Sequence, residues 1–185
     1  MKTDLKKLLL IKTTLLLFVM MLFAACDKDD DAPTNPVDQL PPATQTGANT
    51  FGALLDGEVF LPGQSSNPLD CQYQLISGER YFQLQARNRN ENFNLISLSL
   101  STIAKEIEAG ETYQLLEEAE GNANGRYGFS GTFSFTNSNQ TGQLIITHLD
   151  LNNQTVSGTF WFDIIDQNGD LRQIRDGRFD MQFTQ

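Results

Sequence analysis

Beyond residue 49, apolar and polar side chains alternate in short runs, the period of two that turns one face of a strand to a core and the other to water. Phe82, Leu84 and Ala86 fall on one side of one run, and Ile96, Leu98 and Leu100 alternate with Ser97, Ser99 and Ser101 in the next. From Tyr127 to Phe135, aromatics take every second place apart from Gly131, which predicts a single strand; a polar turn at 137–141 then leads into a partner strand over 143–149. Val156, Gly158, Phe160, Phe162 and Ile164 repeat the alternation, as do Phe179, Met181 and Phe183. Asp56-Gly57 between Thr50–Leu55 and Glu58–Phe60 is a strong hairpin signal. Only Thr102 to Ala109 breaks the rule. Ile103, Ala104 and Ile107 stand at helical spacing there, predicting one short helix that Gly110 ends before a strand at Tyr113 and Leu115. About nine strands with short connections predict an all-β domain over 49–185, an antiparallel β-sandwich or β-barrel with one short helix, and periodicity alone does not choose between the two.

The N-terminal pattern is different. Lys6 and Lys7 precede an uninterrupted apolar run from Leu15 to Ala25, the layout of a signal peptide over 1–25 and too short to cross a bilayer. Ala24-Ala25-Cys26 resembles the bacterial lipobox, in which the cysteine thiol receives a diacylglyceryl group, the leader is cut before it, and the new amine is acylated, as with palmitate. Several acyl chains would hold the protein firmly where one would not. The alternative is an ordinary signal peptide with an incidental cysteine. Asp27, Lys28, Asp29, Asp30 and Asp31 follow, by default a solvated charge run. They also resemble the acidic export signal behind the lipidated cysteine of Bacteroidetes lipoproteins bound for the outer face of the outer membrane. In other Gram-negative bacteria an Asp at the first of these places resembles an inner-membrane retention signal. Pro33, Pro36, Pro41 and Pro42 among Thr, Asn and Gln make 26–48 an acidic, proline-rich disordered tether. Some 20 such residues reach about 25 Å as a flexible coil.

Charge narrows the partners. Of 13 Lys+Arg and 23 Asp+Glu, four basic residues and one acidic residue precede Cys26, so the remainder carries net −13. Such a surface repels nucleic-acid phosphates and anionic headgroups, which leaves the N-terminal lipid anchor as the membrane contact. Acylation of Cys26 would leave Cys71, the only other cysteine, as an unpaired thiol, either a small buried hydrophobe or a reactive group.

Three segments together carry a family resemblance: 40–52 (LPPATQTGANTFG), Val156-Ser157-Gly158-Thr159-Phe160, and Asp176-Gly177-Arg178-Phe179-Asp180. They resemble a family of Bacteroidetes lipoproteins known only as domain of unknown function 6252, over the whole mature domain, with the first segment the most specific. The resemblance implies a lipidated, mostly β cell-envelope protein and favours surface display; it brings no catalytic residues. Many such sequences carry Cys at the place of Ala53, so a disulfide to Cys71 that the family would imply is absent here.

Candidate chemistry is sparse. His148 is the only histidine, so a histidine-rich metal cluster or a triad would have to form around one residue, and a structural role in its strand is the simpler reading. Gly128-Phe129-Ser130-Gly131 lacks the glycine spacing of a nucleophile elbow. Asp166-Gln167-Asn168-Gly169-Asp170 opens like a calcium loop but has Leu171 where that loop needs glycine and Gly177 where it needs glutamate, so a hairpin turn fits better. Glu106, Glu108, Glu111, Glu117, Glu118 and Glu120 could supply a glycosidase pair only if two faced each other across a cleft; a solvated edge explains them more simply. Trp161 falls on the opposite side of its strand from Phe160 and Phe162, where an indole could stack on a sugar or anchor a partner, unless the helix or a loop covers that face. Tyr81, near Gln83, Gln85 and Arg87, is a companion candidate.

No cofactor or metal is expected. The sequence thus predicts a non-enzymatic, lipid-anchored outer-membrane protein with a binding or structural role and a glycan or protein as its partner. A barrel lined by the aromatic strands would instead carry a small apolar ligand. A carboxylate-based glycoside hydrolase is the remote third reading.

Overall fold

The computed structural model describes residues 35–185. The predicted signal peptide over 1–25, Cys26 and the block Asp27 to Asp31 lie outside the described residues. A single 3-10 turn, Pro36–Gln39, precedes eleven strands: β1 (Thr50–Leu55), β2 (Glu58–Phe60), β3 (Leu69–Ile76), β4 (Glu79–Arg89), β5 (Leu95–Thr102), β6 (Thr112–Leu115), β7 (Ala123–Phe129), β8 (Thr132–Phe135), β9 (Gly142–Asp150), β10 (Thr155–Ile165) and β11 (Leu171–Gln182). They form one sheet in the order β2-β1-β11-β10-β9-β6-β7-β5-β4-β3, with β8 paired to β7. Neighbours are antiparallel except for one parallel contact of β6 with β7, at Leu115 and Ala123.

The sheet folds back on itself. Phe82 of β4 and Phe179 of β11 stand six strands apart in that order, roughly 29 Å in a flat sheet, yet their ring centroids lie 6.2 Å apart. The inner faces of the two halves therefore meet in a shared core that includes Phe51, Tyr73, Phe82, Leu98, Phe160 and Phe162. The free edge of β3 touches the chain just past β11 through one isolated parallel bridge, Gln72 to Thr184, because β1 covers β11 only as far as Asp180. One bridge is not a ladder, so the sheet is sandwich-like and not closed into a barrel. The aromatic side chains expected to line a barrel cavity instead pack against one another, Phe51 tilted on Phe160 and Phe160 stacked on Phe162.

Four expectations need correction. The run Tyr127 to Phe135 is a hairpin, since Ser130 (φ 49°) and Gly131 (φ 90°) adopt the two left-handed conformations of a type I′ turn between β7 and β8; Asp56-Gly57 does the same, as predicted. Strand β9 pairs with β10 and β6 rather than with the 127–135 run, because β6 lies between β9 and β7. The short helix over 102–109 does not form. Ala104 sits at φ 48°, Thr102 Oγ1 donates to the Lys105 carbonyl, and the Ile107 amide donates to the Tyr73 hydroxyl at 3.1 Å with its side chain 1% exposed. These tertiary partners outweigh an eight-residue helix that is marginal by itself.

The fourth correction moves the domain boundary. Residues 35–48, expected in the tether, pack on the β-domain: Leu40 is 6% exposed and the stretch Thr44 to Ala48 is tied to Asp180. Asp180 is fully buried, and its carboxylate accepts from Thr44 Oγ1 (2.6 Å), the Thr46 amide (2.9 Å), the Gly47 amide (2.7 Å) and Ser157 Oγ (2.8 Å). Burial alone would raise its pKa, but these hydrogen bonds outweigh it and hold the carboxyl well below the usual range.

Candidate recognition groove

Along β10, Val156, Phe160, Phe162 and Ile164 are buried while Trp161 remains 36% exposed, so the alternation places the indole on the open outer face. Its surroundings are set by a bulge. Phe160 pairs with Gly177 and Phe162 with Ile174, leaving Trp161 opposite two residues of β11, Arg175 and Asp176. On the other side of β11, Gly52 pairs with Arg178 and Leu54 with Arg175, so β1 meets the same irregularity. Asp176 adopts φ 51° to make it, and such bulges re-aim side chains at the places where they occur.

The result is a groove of about 360 Å³ lined by residues that include Ala43, Gln143, Thr159, Trp161, Asp176 and Arg178. The Arg175 guanidinium lies 5.4 Å from the indole ring centroid and makes a charge contact with Asp163 at 2.6 Å, which fixes it against the ring. Gln143, directly across the ladder, reaches the indole Nε1–H with its Oε1 at 3.4 Å. Arg178 bends back to its own strand, Nε donating to the Asp176 carbonyl at 3.4 Å. A half-exposed aromatic plate ringed by an amide, a carboxylate and guanidinium groups combines an apolar stacking surface with donors and acceptors, the groups that recognise polyhydroxylated ligands. The volume falls in the range of small-ligand sites, about 300–1,000 Å³.

The remaining candidates do not join this groove. Tyr81, half-buried on β4, lines a different concavity in the opposite half of the sheet, so the two aromatics do not form one site. His148 pairs with Ser157 across the β9–β10 ladder and its Nε2 lies 3.2 Å from Thr155 Oγ1, a local strand contact. Cys71 is 4% exposed in the core; burial, then the charge of Asp70, raises its pKa far above the usual thiol range, which makes it a small hydrophobe. Asp166 uses its oxygens on its own turn and on Arg172: Oδ1 accepts from the Asn168 and Asp170 amides and Oδ2 from Arg172 Nε. Arg172 also reaches Asp56 at 3.0 Å, so the turn is a structural joint between the β1–β2 and β10–β11 ends. All six glutamates between 106 and 120 are exposed, as a solvated edge requires.

Sequence reasoning missed the groove's other walls. Gln143 follows only from the β9–β10 register, and Arg175, Asp176 and Arg178 only from the β11 bulge, for which an Asp-Gly pair inside an alternating strand is the one local sign. Ala43 lies in a proline-rich stretch whose composition reads as a tether, so nothing local marks it as a wall of the groove.

Comparison with curated proteins gave no match, and comparison with solved structures gave none. A family model does match, over residues 70–181, from the second residue of β3 almost to the end of β11. The match omits segment 40–52, which carried the most specific part of the resemblance, and includes the bulge, Trp161 and Asp180. The chain therefore belongs to the family of the domain of unknown function DUF6252.

Proposed function

We propose that the chain is a lipid-anchored, non-enzymatic envelope protein whose β-domain recognises a saccharide through the Trp161 groove. Support for the anchor comes from the leader, the small residues Ala24 and Ala25 and the placement of Cys26. The acid-rich run Asp27 to Asp31 supports carriage to the outer face of the outer membrane, as in the Bacteroidetes lipoproteins that this stretch resembles. The observation that carries the recognition reading is the half-exposed indole held between Arg175 and Gln143 over a groove of about 360 Å³. An aromatic plate with polar edges binds sugars by stacking on their C–H faces while its neighbours satisfy the hydroxyls.

Two measurements test this. Cys26→Ala should release the protein from the membrane fraction and remove it from the cell surface; continued membrane attachment overturns the anchor. Capture of envelope oligosaccharides should fall at least tenfold in Trp161→Ala while thermal stability is kept. Unchanged capture by a folded variant refutes the groove as the recognition site.

A further inference from the structure

The outer face of the other half of the fold carries a second concavity of different chemistry. The β4–β5–β7 registers set Arg87, Ser97 and Gly128 in one row, Gln85, Ser99 and Arg126 in the next, and Gln83, Ser101 and Asn124 in a third. Short serines in the middle strand make a trough between longer side chains. Alternation predicts a wet face here, yet Ser97 and Ser99 are each only 4% exposed. The cover comes partly from β8, whose Phe133 pairs across from Gly128 and lies under the Arg126 guanidinium, 4.7 Å from its ring centroid. A cavity of about 190 Å³ remains, lined by residues that include Tyr81, Ser99, Ser101, Arg126 and Glu118.

Two buried donors on the rows that form the trough find no acceptor among the described residues. Arg126 Nη2 donates to Ser99 Oγ at 3.1 Å, but its buried Nε has no acceptor among the described residues. Asn124, 1% exposed, accepts from Ser101 Oγ at 2.9 Å, and its Nδ2 likewise finds no acceptor among them. Arg87, in the neighbouring row, donates to Gln85 Oε1. Burial first, and the positive charge of Arg87 as well, lower the Arg126 pKa, while the exposed Glu118 at the cavity mouth opposes this without coming within salt-bridge distance. Two guanidinium groups that no carboxylate contacts among the described residues make a positive site without a direct ion pair, in a chain of net charge −10. Buried orphan donors and a half-buried unpaired cation each carry a desolvation cost that an acceptor of opposite charge removes.

We propose that this trough binds an oxyanion, a sulfate or carboxylate group presented alone or on one residue of an acidic sugar. Arg126 supplies guanidinium N–H donors, Ser99 a hydroxyl whose own proton no bond takes up among the described residues, and Arg87 the added field. The volume is below the ~300 Å³ at which whole drug-sized ligands begin to fit, which matches a single charged group or one sugar residue. The site is independent of the Trp161 groove, because the two lie on the outer faces of opposite halves of the folded sheet.

Titration calorimetry of the full chain in an uncharged detergent, at constant ionic strength, tests the proposal with sodium sulfate, sodium glucuronate and, as the neutral control, glucose. Saturable binding of sulfate or glucuronate but not glucose is expected; sulfate alone points to a free anion, and glucuronate the tighter of the two points to an acidic sugar. Arg126→Gln should weaken binding about tenfold or more, as expected for losing hydrogen bonds to a charged group. Glu118→Gln should tighten it, since it removes a carboxylate at the mouth, and Trp161→Ala should leave it unchanged. Arg87→Gln should weaken binding by a smaller factor and decides the matter if Arg126→Gln fails to fold. No saturable oxyanion binding, binding equal to that of glucose, indifference to both arginine variants, or weaker binding in Glu118→Gln would each overturn the proposal.

Discussion

Replacing Asp180 by Ala removes the acceptor that holds segment 44–48 on the sheet. Of the donors that lose their partner, the Gly47 amide and Ser157 Oγ are buried, whereas Thr46 is exposed and Thr44 half-buried, so these two regain water. Two buried donors left unpaired at about 1–3 kcal/mol each give a destabilisation of about 4 kcal/mol. With a urea m-value of about 2 kcal/mol/M, the unfolding midpoint should fall by about 2 M. Asp180→Asn keeps the shape but loses the charge and turns one acceptor into a donor facing other donors, for about 2 kcal/mol. The pH dependence follows from the depressed pKa in the folded state. The unfolded chain protonates Asp near pH ~3.9, so the carboxylate's contribution is complete above that value and is lost as pH falls towards the lower folded-state value. The gap between wild type and Asp180→Asn should therefore be constant from pH 7 to 5 and narrow below about pH 4. A wild-type midpoint in Asp180→Ala, or a gap that does not narrow in acid, would refute the anchoring of residues 44–48 to the domain through this carboxylate.

Two further substitutions probe the core. In Gly142→Ala the new Cβ meets the Trp161 carbonyl and comes 2.6 Å from Phe162 Cα, both backbone, so a loss of about 3 kcal/mol or a failure to fold is expected by denaturant titration; a neutral effect would contradict the β9–β10 spacing. In a Cys26→Ala background, Cys71 should resist a water-soluble thiol reagent until denaturant is added, because the thiol is buried and its pKa raised. Rapid native labelling would place Cys71 at the surface.

Alternation makes much of this fold legible in advance. Val156, Phe160, Phe162 and Ile164 are buried where the period of two puts them, and Trp161 is open on the other side. Local chemistry ran out where long-range partners decide. Ile107 has helical spacing, but the Tyr73 hydroxyl takes its amide, and nothing near position 107 announces a residue 34 places earlier. Ser130-Gly131 is a known turn pair, yet the aromatics on both sides keep the alternation in phase through it and disguise two strands as one. The 40–48 segment looks like a tether by composition, and partners far along the chain make it part of the domain: Leu40 is buried, Gln45 donates to the Thr147 carbonyl, and the buried Asp180 holds Thr44 to Ala48. The groove shows both sides of this limit: its aromatic was readable from one strand, while its polar walls depend on a register and a bulge.

Trp161 is the only tryptophan, so its fluorescence reports on the groove alone. Titrating the full chain in an uncharged detergent with a panel of envelope oligosaccharides, and following that emission, tests the recognition claim most directly. A saturable blue shift or quench is expected for at least one oligosaccharide, with an affinity matching calorimetry and reduced at least tenfold in Arg178→Ala. Oligosaccharide binding by calorimetry with no change in Trp161 emission, or no binding across the panel, would contradict that claim.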